Sequence, residues 1–209
     1  MAEFASRPLV KICGVTSIED ARLVADAGAD VVGLILAESA RQISPDTARS
    51  VAAAVRGSIL VALVVRNQSD EFICSSVETV GPNIVQVHGP LSRDLAQRLR
   101  RDGRLVVKAL AIGSAEFEQF DESSVDAVLV DGPTPGAGRS HSWDALARRH
   151  FECPVIAAGG LTPDNVIATI ELVHPQGVDC ASGVEASPGR KDPTLVRHFV
   201  ENARRGFDL

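Results

Sequence analysis

A single α/β domain closed into a (β/α)8 barrel of the TIM type is predicted by three observations. Eight short runs rich in β-branched residues recur along the chain, helical periodicity fills the intervals, and no Gly/Ser/Pro linker is long enough to divide them. At 209 residues the chain lies at the small end for such a barrel, so one domain over 1–209 is the economical layout.

The expected strands are residues 9–13, 31–36, 59–65, 84–87, 105–110, 127–130, 155–158 and 178–181. After the first, "TSIEDARLVADAGAD" has a Thr16 to Glu19 capping box and an apolar face at Ala21, Val24, Ala25 and Gly28. "SPDTARSVAAAV" begins with Ser44 as N-cap and Pro45 at the first helical position, and "TPDNVIATIELV" repeats the device with Thr162 and Pro163. Helices also fit 70–80, 92–101 and 193–204, while 113–124 supports only a short, irregular one. An open doubly wound sheet is the competing layout. Against it, the first strand-to-helix turn, "ICGVTS", lacks the G-x-G-x-x-G dinucleotide fingerprint. No fixed-period repeat stands out.

Composition narrows the function. Apolar residues make up 45% and charged residues 23%, as in an ordinary globular protein. A net charge of −6 argues against a nucleic-acid partner. No apolar stretch reaches membrane-spanning length and "MAEFASRP" lacks a signal core, so no membrane partner and a cytoplasmic location are expected. Cys13, Cys74, Cys153 and Cys180 show neither C-x-x-C spacing nor a nearby histidine, so neither a disulfide framework nor a metal site is expected. The oligomeric state is not legible.

A barrel of this kind builds its active site from the loops after its strands. Those positions hold Cys13, Ser39, Arg41, Asn67, Gln86, His88, Lys108, Asp131, Gly159, Gly160, Ser182 and Gly183. Cys13 and Asp131 end the first and sixth runs. A thiolate takes a proton from carbon and an acid protonates a leaving oxygen, so the pair predicts proton-transfer chemistry on a small molecule. A thiol of ordinary pKa, about 8.5, is mostly protonated at neutral pH and needs local positive charge to act as a base. Lys11 is two residues away, on the same face of the strand. Loops seven and eight, "AAGGLTPDNV" and "CASGVEASPGRKD", offer glycine turns beside a helix start, which predicts a phosphate site at Gly159, Gly160, Ser182 and Gly183.

"VKICGVTSIEDA", "VQVHG", "VLVDGPTPGAG", "AAGGLTPDNV" and "GVDCASGVEASPGRKD" together resemble phosphoribosylanthranilate isomerase, in order and spacing, over nearly the whole chain. The resemblance implies an Amadori rearrangement in tryptophan biosynthesis, on a small phosphosugar and without cofactor. By the same resemblance Asp131 is the general acid, Cys13 the base that removes the C2 proton, and Arg41 the holder of the anthranilate carboxylate. The chain departs from the family pattern at Glu38, Ala40, Val65, His141 and Ser142, around the aryl side of the pocket. A paralogue acting on another phosphorylated aminosugar and a non-catalytic phosphosugar-binding barrel are the alternatives.

Overall fold

The computed structural model describes residues 7–132 and 143–209. Its eight parallel strands close in sequence order: β1 (Leu9–Cys13), β2 (Val31–Ile35), β3 (Leu60–Arg66), β4 (Ile84–His88), β5 (Leu105–Ala111), β6 (Ala127–Asp131), β7 (Val155–Ala158) and β8 (Gly177–Cys180). β8 pairs back onto β1 with Leu9 opposite Gly177. The predicted barrel is therefore present, and each strand boundary lies within one residue of its expected place.

Outside the strands lie α1 (Ile18–Asp26), α2 (Pro45–Val55), α3 (Asp70–Val80), α4 (Arg93–Arg101), α5 (Ala115–Gln119), α6 (Asp144–Arg148), α7 (Val166–Val173) and α8 (Pro193–Phe207). Four of them, α2 to α5, start on a serine, Ser44, Ser69, Ser92 or Ser114, whose hydroxyl accepts a first-turn N–H. Two expected starts differ. The cap of α1 is Ser17, which accepts from Asp20 N, because the Thr16 hydroxyl donates to the Gly189 carbonyl across the barrel mouth at 2.7 Å. Thr162 and Pro163 do not open α7. Asn165 folds back instead, accepting from Thr162 N at 2.8 Å and donating to Gly160 O at 2.9 Å, which holds 162–165 as a turn and delays the helix to Val166.

Alternation along each strand divides the core in two. Val10 and Ile12 face the helices, whereas Leu9 packs inside the barrel with Val31, Ala62, Ile84, Val107, Leu129 and Ile156. At the N-terminal rim the register is clasped by side chains. The residue before each even strand, Asp30, Asn83, Asp126 or Gln176, gives its N–H to the carbonyl of a residue at the start of an odd strand, the second in β1, β3 and β5 (Val10, Val61, Val106) and the first in β7 (Val155). Its side-chain oxygen takes that same residue's N–H, at 2.7–2.9 Å. The clasp residue's own carbonyl then receives the first N–H of the next odd strand, from Leu9, Leu60 and Leu105. Pro154, which has no N–H, stands at the fourth such position.

These clasps should differ in worth. Asp126 is buried and also holds Arg100, while Gln176 is exposed. Asp126→Ala strands the Val106 N–H and is expected to cost about 1–3 kcal/mol in urea unfolding. Water replaces the lost partner in Gln176→Ala, which should cost less than about 1 kcal/mol.

Candidate active site

The C-terminal mouth of the barrel holds a cavity of about 360 Å³. Cys13, Arg41, His88, Asp131, Gly159, Gly160 and Ser182 all line it, so seven of the eight site residues expected from sequence meet there. Gly183 does not: a Cβ at that position would run into the Leu161 carbonyl oxygen, which makes it a packing position behind the cavity wall. Neither Asn67 nor Lys108 reaches the cavity. Lys108 shares strand parity with Val106 and Leu110, so its fully buried ammonium lies on the helix side, bonded to Ala109 O and Glu116 under the Phe120 ring. His141 and Ser142 lie outside the described residues.

Inside β1 the interior face reads Leu9, Lys11, Cys13. Lys11 Nζ donates to Asp179 Oδ2 of β8 at 2.8 Å, with both side chains more than nine-tenths buried. Burial works against the ammonium, but Asp179 and the neighbouring thiol outweigh it and hold Lys11 above its ordinary pKa. Burial pushes the Cys13 thiol up and Asp179 adds to this, while Lys11 and Lys191 pull the other way. Cys13 is therefore a neutral thiol at neutral pH. The room in which thiol and ammonium meet is the missing side chain of Gly33, opposite Cys13 on β2. A Cβ there would sit 2.7 Å from Cys13 Sγ and 3.1 Å from Lys11 Nζ.

The acid side is built in a parallel way. Asp131 closes β6 and accepts from Gly132 N at 2.8 Å. Gly159, at φ +93°, lies so close that a Cβ would collide with Asp131 Oδ1 and the Gly132 nitrogen. From β4 the cavity receives Gln86 and His88, whose Nε2 atoms are 2.9 Å apart. Burial, with the charges of Arg66, Lys11 and Lys108, pushes His88 down to about 3, so its ring is neutral.

Loop eight ties the mouth together. After a 3-10 turn (Ser182–Val184) it forms a two-stranded arm, β9 (Glu185–Ser187) and β10 (Arg190–Lys191). Glu185 accepts from Arg41 Nε at 2.7 Å and Arg41 Nη2 at 2.8 Å, a paired contact that raises the Arg41 pKa. Lys191 Nζ, fully buried, donates to Glu185, to the Ala181 carbonyl and to the carbonyl of Cys13 itself at 2.7 Å. Despite burial, the two cations hold Glu185 below the usual carboxylate range. Gly33, Asp179, Glu185, Lys191 and Arg66 were not singled out by sequence, since their significance rests on partners far away in the chain. Among the described residues no group of His, Cys, Asp and Glu is arranged to hold a metal.

The family described as N-(5'-phosphoribosyl)anthranilate isomerase has a sequence model that matches residues 10–202. The protein of that name from Haloferax volcanii is 40% identical over 204 residues, covering 93% of this chain and 92% of its own. The crystal structure of phosphoribosyl anthranilate isomerase from Thermotoga maritima superposes with a TM-score of 0.86 at 32% identity, over 95% of this chain and 99% of that one. A structure of phosphoribosyl anthranilate isomerase in complex with reduced 1-(o-carboxyphenylamino)-1-deoxyribulose 5-phosphate is similar at TM-score 0.81 and 31% identity, over 95% and 99%.

The charges around Cys13 fix the sign of a titration. Facing it are Lys11 from β1, Asp179 from β8, Lys191 from β10 and Arg41 from loop two, with only Gly33 from β2. Thiolate absorbance, read as the difference from Cys13→Ala, should rise through a midpoint above the ordinary thiol value. Lys11→Met should move that midpoint further up and Asp179→Asn should move it down.

Proposed function

The chain belongs to the N-(5'-phosphoribosyl)anthranilate isomerase family, whose aldose–ketose isomerisation in tryptophan biosynthesis it carries out, and we propose that Cys13 and Asp131 perform the chemistry. The observation that carries the assignment is their placement at the ends of β1 and β6 on one cavity. Its ligand is a small phosphosugar.

In this reading Asp131 protonates the ribose ring oxygen as the C1–O bond breaks, and the anilino nitrogen supplies the electron pair that forms the Schiff base. The iminium acidifies the C2–H. Cys13, once its thiol proton has left to solvent, is the thiolate that Lys11 stabilises; it takes the C2 proton and the C–H electrons form the enolamine. Loss of the C2 hydroxyl proton and protonation of C1 then give 1-(2-carboxyphenylamino)-1-deoxyribulose 5-phosphate. Lys11 stabilises the thiolate by charge, and Asp179 keeps Lys11 protonated and aimed. Gly160, at φ +73°, and Ser182 present loops seven and eight to the phosphate, in a backbone conformation that favours glycine. Arg41, oriented by Glu185, faces its remaining N–H groups to the aryl carboxylate. A one-domain enzyme working in the cytoplasm belongs to the same proposal, supported by a net charge of −6 and by four free thiols.

Steady-state turnover of phosphoribosylanthranilate, followed by its fluorescence, tests these roles. Cys13→Ala and Asp131→Asn should each lower kcat by about 10²-fold or more with the melting temperature little changed. Near wild-type turnover in either removes that residue from its role. Gly33→Ala should also lower kcat, by about 10²-fold, because the new methyl displaces the thiol from its line of attack.

A further inference from the structure

We propose that Arg66 is a specificity-determining residue, whose guanidinium joins Arg41 at the carboxylate on the aryl end of the substrate. The inference rests on the reaction assigned above and concerns a position outside the motifs that identify the family.

Along β3, Ala62 faces the barrel interior and Val64 lines the cavity, so parity places Arg66 on the same face at the mouth. Its backbone is fixed. Arg66 N donates to Gln68 Oε1 at 3.0 Å, Gln68 Nε2 donates to Leu36 O at 3.1 Å, and Asn67, at φ +55°, donates its N–H to His88 O at 3.2 Å. The turn after β3 is thus pinned to loops two and four, and a long cationic side chain stands on a rigid base. It projects beside His88, its register partner on β4, and its charge helps keep that ring neutral.

The mouth carries two arginines in different states. Arg41 has Nε and Nη2 committed to Glu185, whose second cation, Lys191, is fully buried and occupied with carbonyls. Arg66 is exposed and, among the described residues, makes no ion pair. It thus brings to one edge of the cavity, which Glu38 also lines, a positive charge that no salt bridge among the described residues holds.

Position around the ring supplies the direction. β3 lies diametrically across the closed barrel from β7, where loops seven and eight form the proposed phosphate site. Cys13 on β1 and Asp131 on β6 lie between these poles. A substrate with a phosphate at one end and a carboxylate at the other, reacting at the carbons between, is spanned by this arrangement. A planar guanidinium at β3 meets the carboxylate with paired donors, which a lysine at the same place does not reproduce.

The test measures binding of reduced 1-(o-carboxyphenylamino)-1-deoxyribulose 5-phosphate and of its phenylamino counterpart, which lacks the carboxylate, to wild type, Arg66→Ala and Arg66→Lys, with turnover of phosphoribosylanthranilate alongside. Arg66→Ala should weaken the carboxylated ligand by about 10- to 100-fold and leave the counterpart within about twofold. KM should rise while kcat stays within about threefold, and Arg66→Lys should recover only part. Equal affinities of wild type and Arg66→Ala for the carboxylated ligand, or equal losses on both ligands, overturn the role of Arg66. If wild type turns the substrate over and Cys13→Ala does not, that failure touches Arg66 alone; if wild type fails to turn it over, both readings fall.

Discussion

The clasp at the N-terminal rim is the constraint on which the rest of the barrel depends. Strands buried on both faces carry no polar side to tell them which way to face, and a slip of one residue would exchange interior and exterior along a whole strand. Asp30, Asn83, Asp126 and Gln176 remove that freedom, because each holds both the N–H and the C=O of one residue on the neighbouring odd strand. With Val10 held to Asp30, Leu9, Lys11 and Cys13 must point inward. The direction of the thiol at the top of β1 is set by a hydrogen bond at its base. Arg7 and Arg204 both pair with Asp30, so the charged clasp on β1 is also tied to the last helix.

Above this rim the interior changes character by layers, from apolar side chains to the Lys11–Asp179 pair and then to the thiol and carboxyl at the mouth. A buried ion pair contributes little to stability, since the loss of water around both charges offsets most of their attraction. Its value here is local. The Asp179 carboxylate raises the thiol pKa, which is the wrong direction for a base, yet without it the Lys11 ammonium would lose its buried partner. The pair keeps a full positive charge against the sulfur at the cost of a resting thiol that is neutral. Gly33 within β2 and Gly159 just after β7 complete the arrangement, each leaving space beside the neighbouring strand for one reactive group.

The fold was legible because eight β-branched runs and serine-led helices are local signals; strand boundaries depart from them by single residues, while the helix expected from Pro163 starts only at Val166 and the last helix runs on to Phe207. Faces were less legible. Lys108 lies within a run that is apolar on both sides, and only the packing of Val106 and Leu110 against the helices shows which way it points. Caps failed where a distant partner competed, as Gly189 does for Thr16. In the site, Cys13 and Asp131 stood out because reactive side chains close apolar runs. The groups that govern them did not, since Asp179 lies 168 residues from Lys11 and Glu185 lies 144 from Arg41, separations that no periodicity spans.

Those long-range links also explain how a mouth built from separate loops holds one geometry. Glu185 grips Arg41 from loop two, and Lys191 on the paired strand grips the carbonyl of Cys13. Arg41 and Cys13 are thus connected through a single two-stranded arm, so displacement of either is resisted by the other. Thr16 adds a third tie, from loop one to Gly189 at the tip of that arm. The turn bearing Arg66 is bonded instead to loops two and four, so its side chain is left to adjust within a frame that does not. Rigid attachment belongs where bonds break, because a shift of about 1 Å at a proton-transfer centre costs about 10²-fold in rate. An adaptable guanidinium belongs at the remote end, where no bond breaks and its paired donors can turn to meet the ligand's carboxylate.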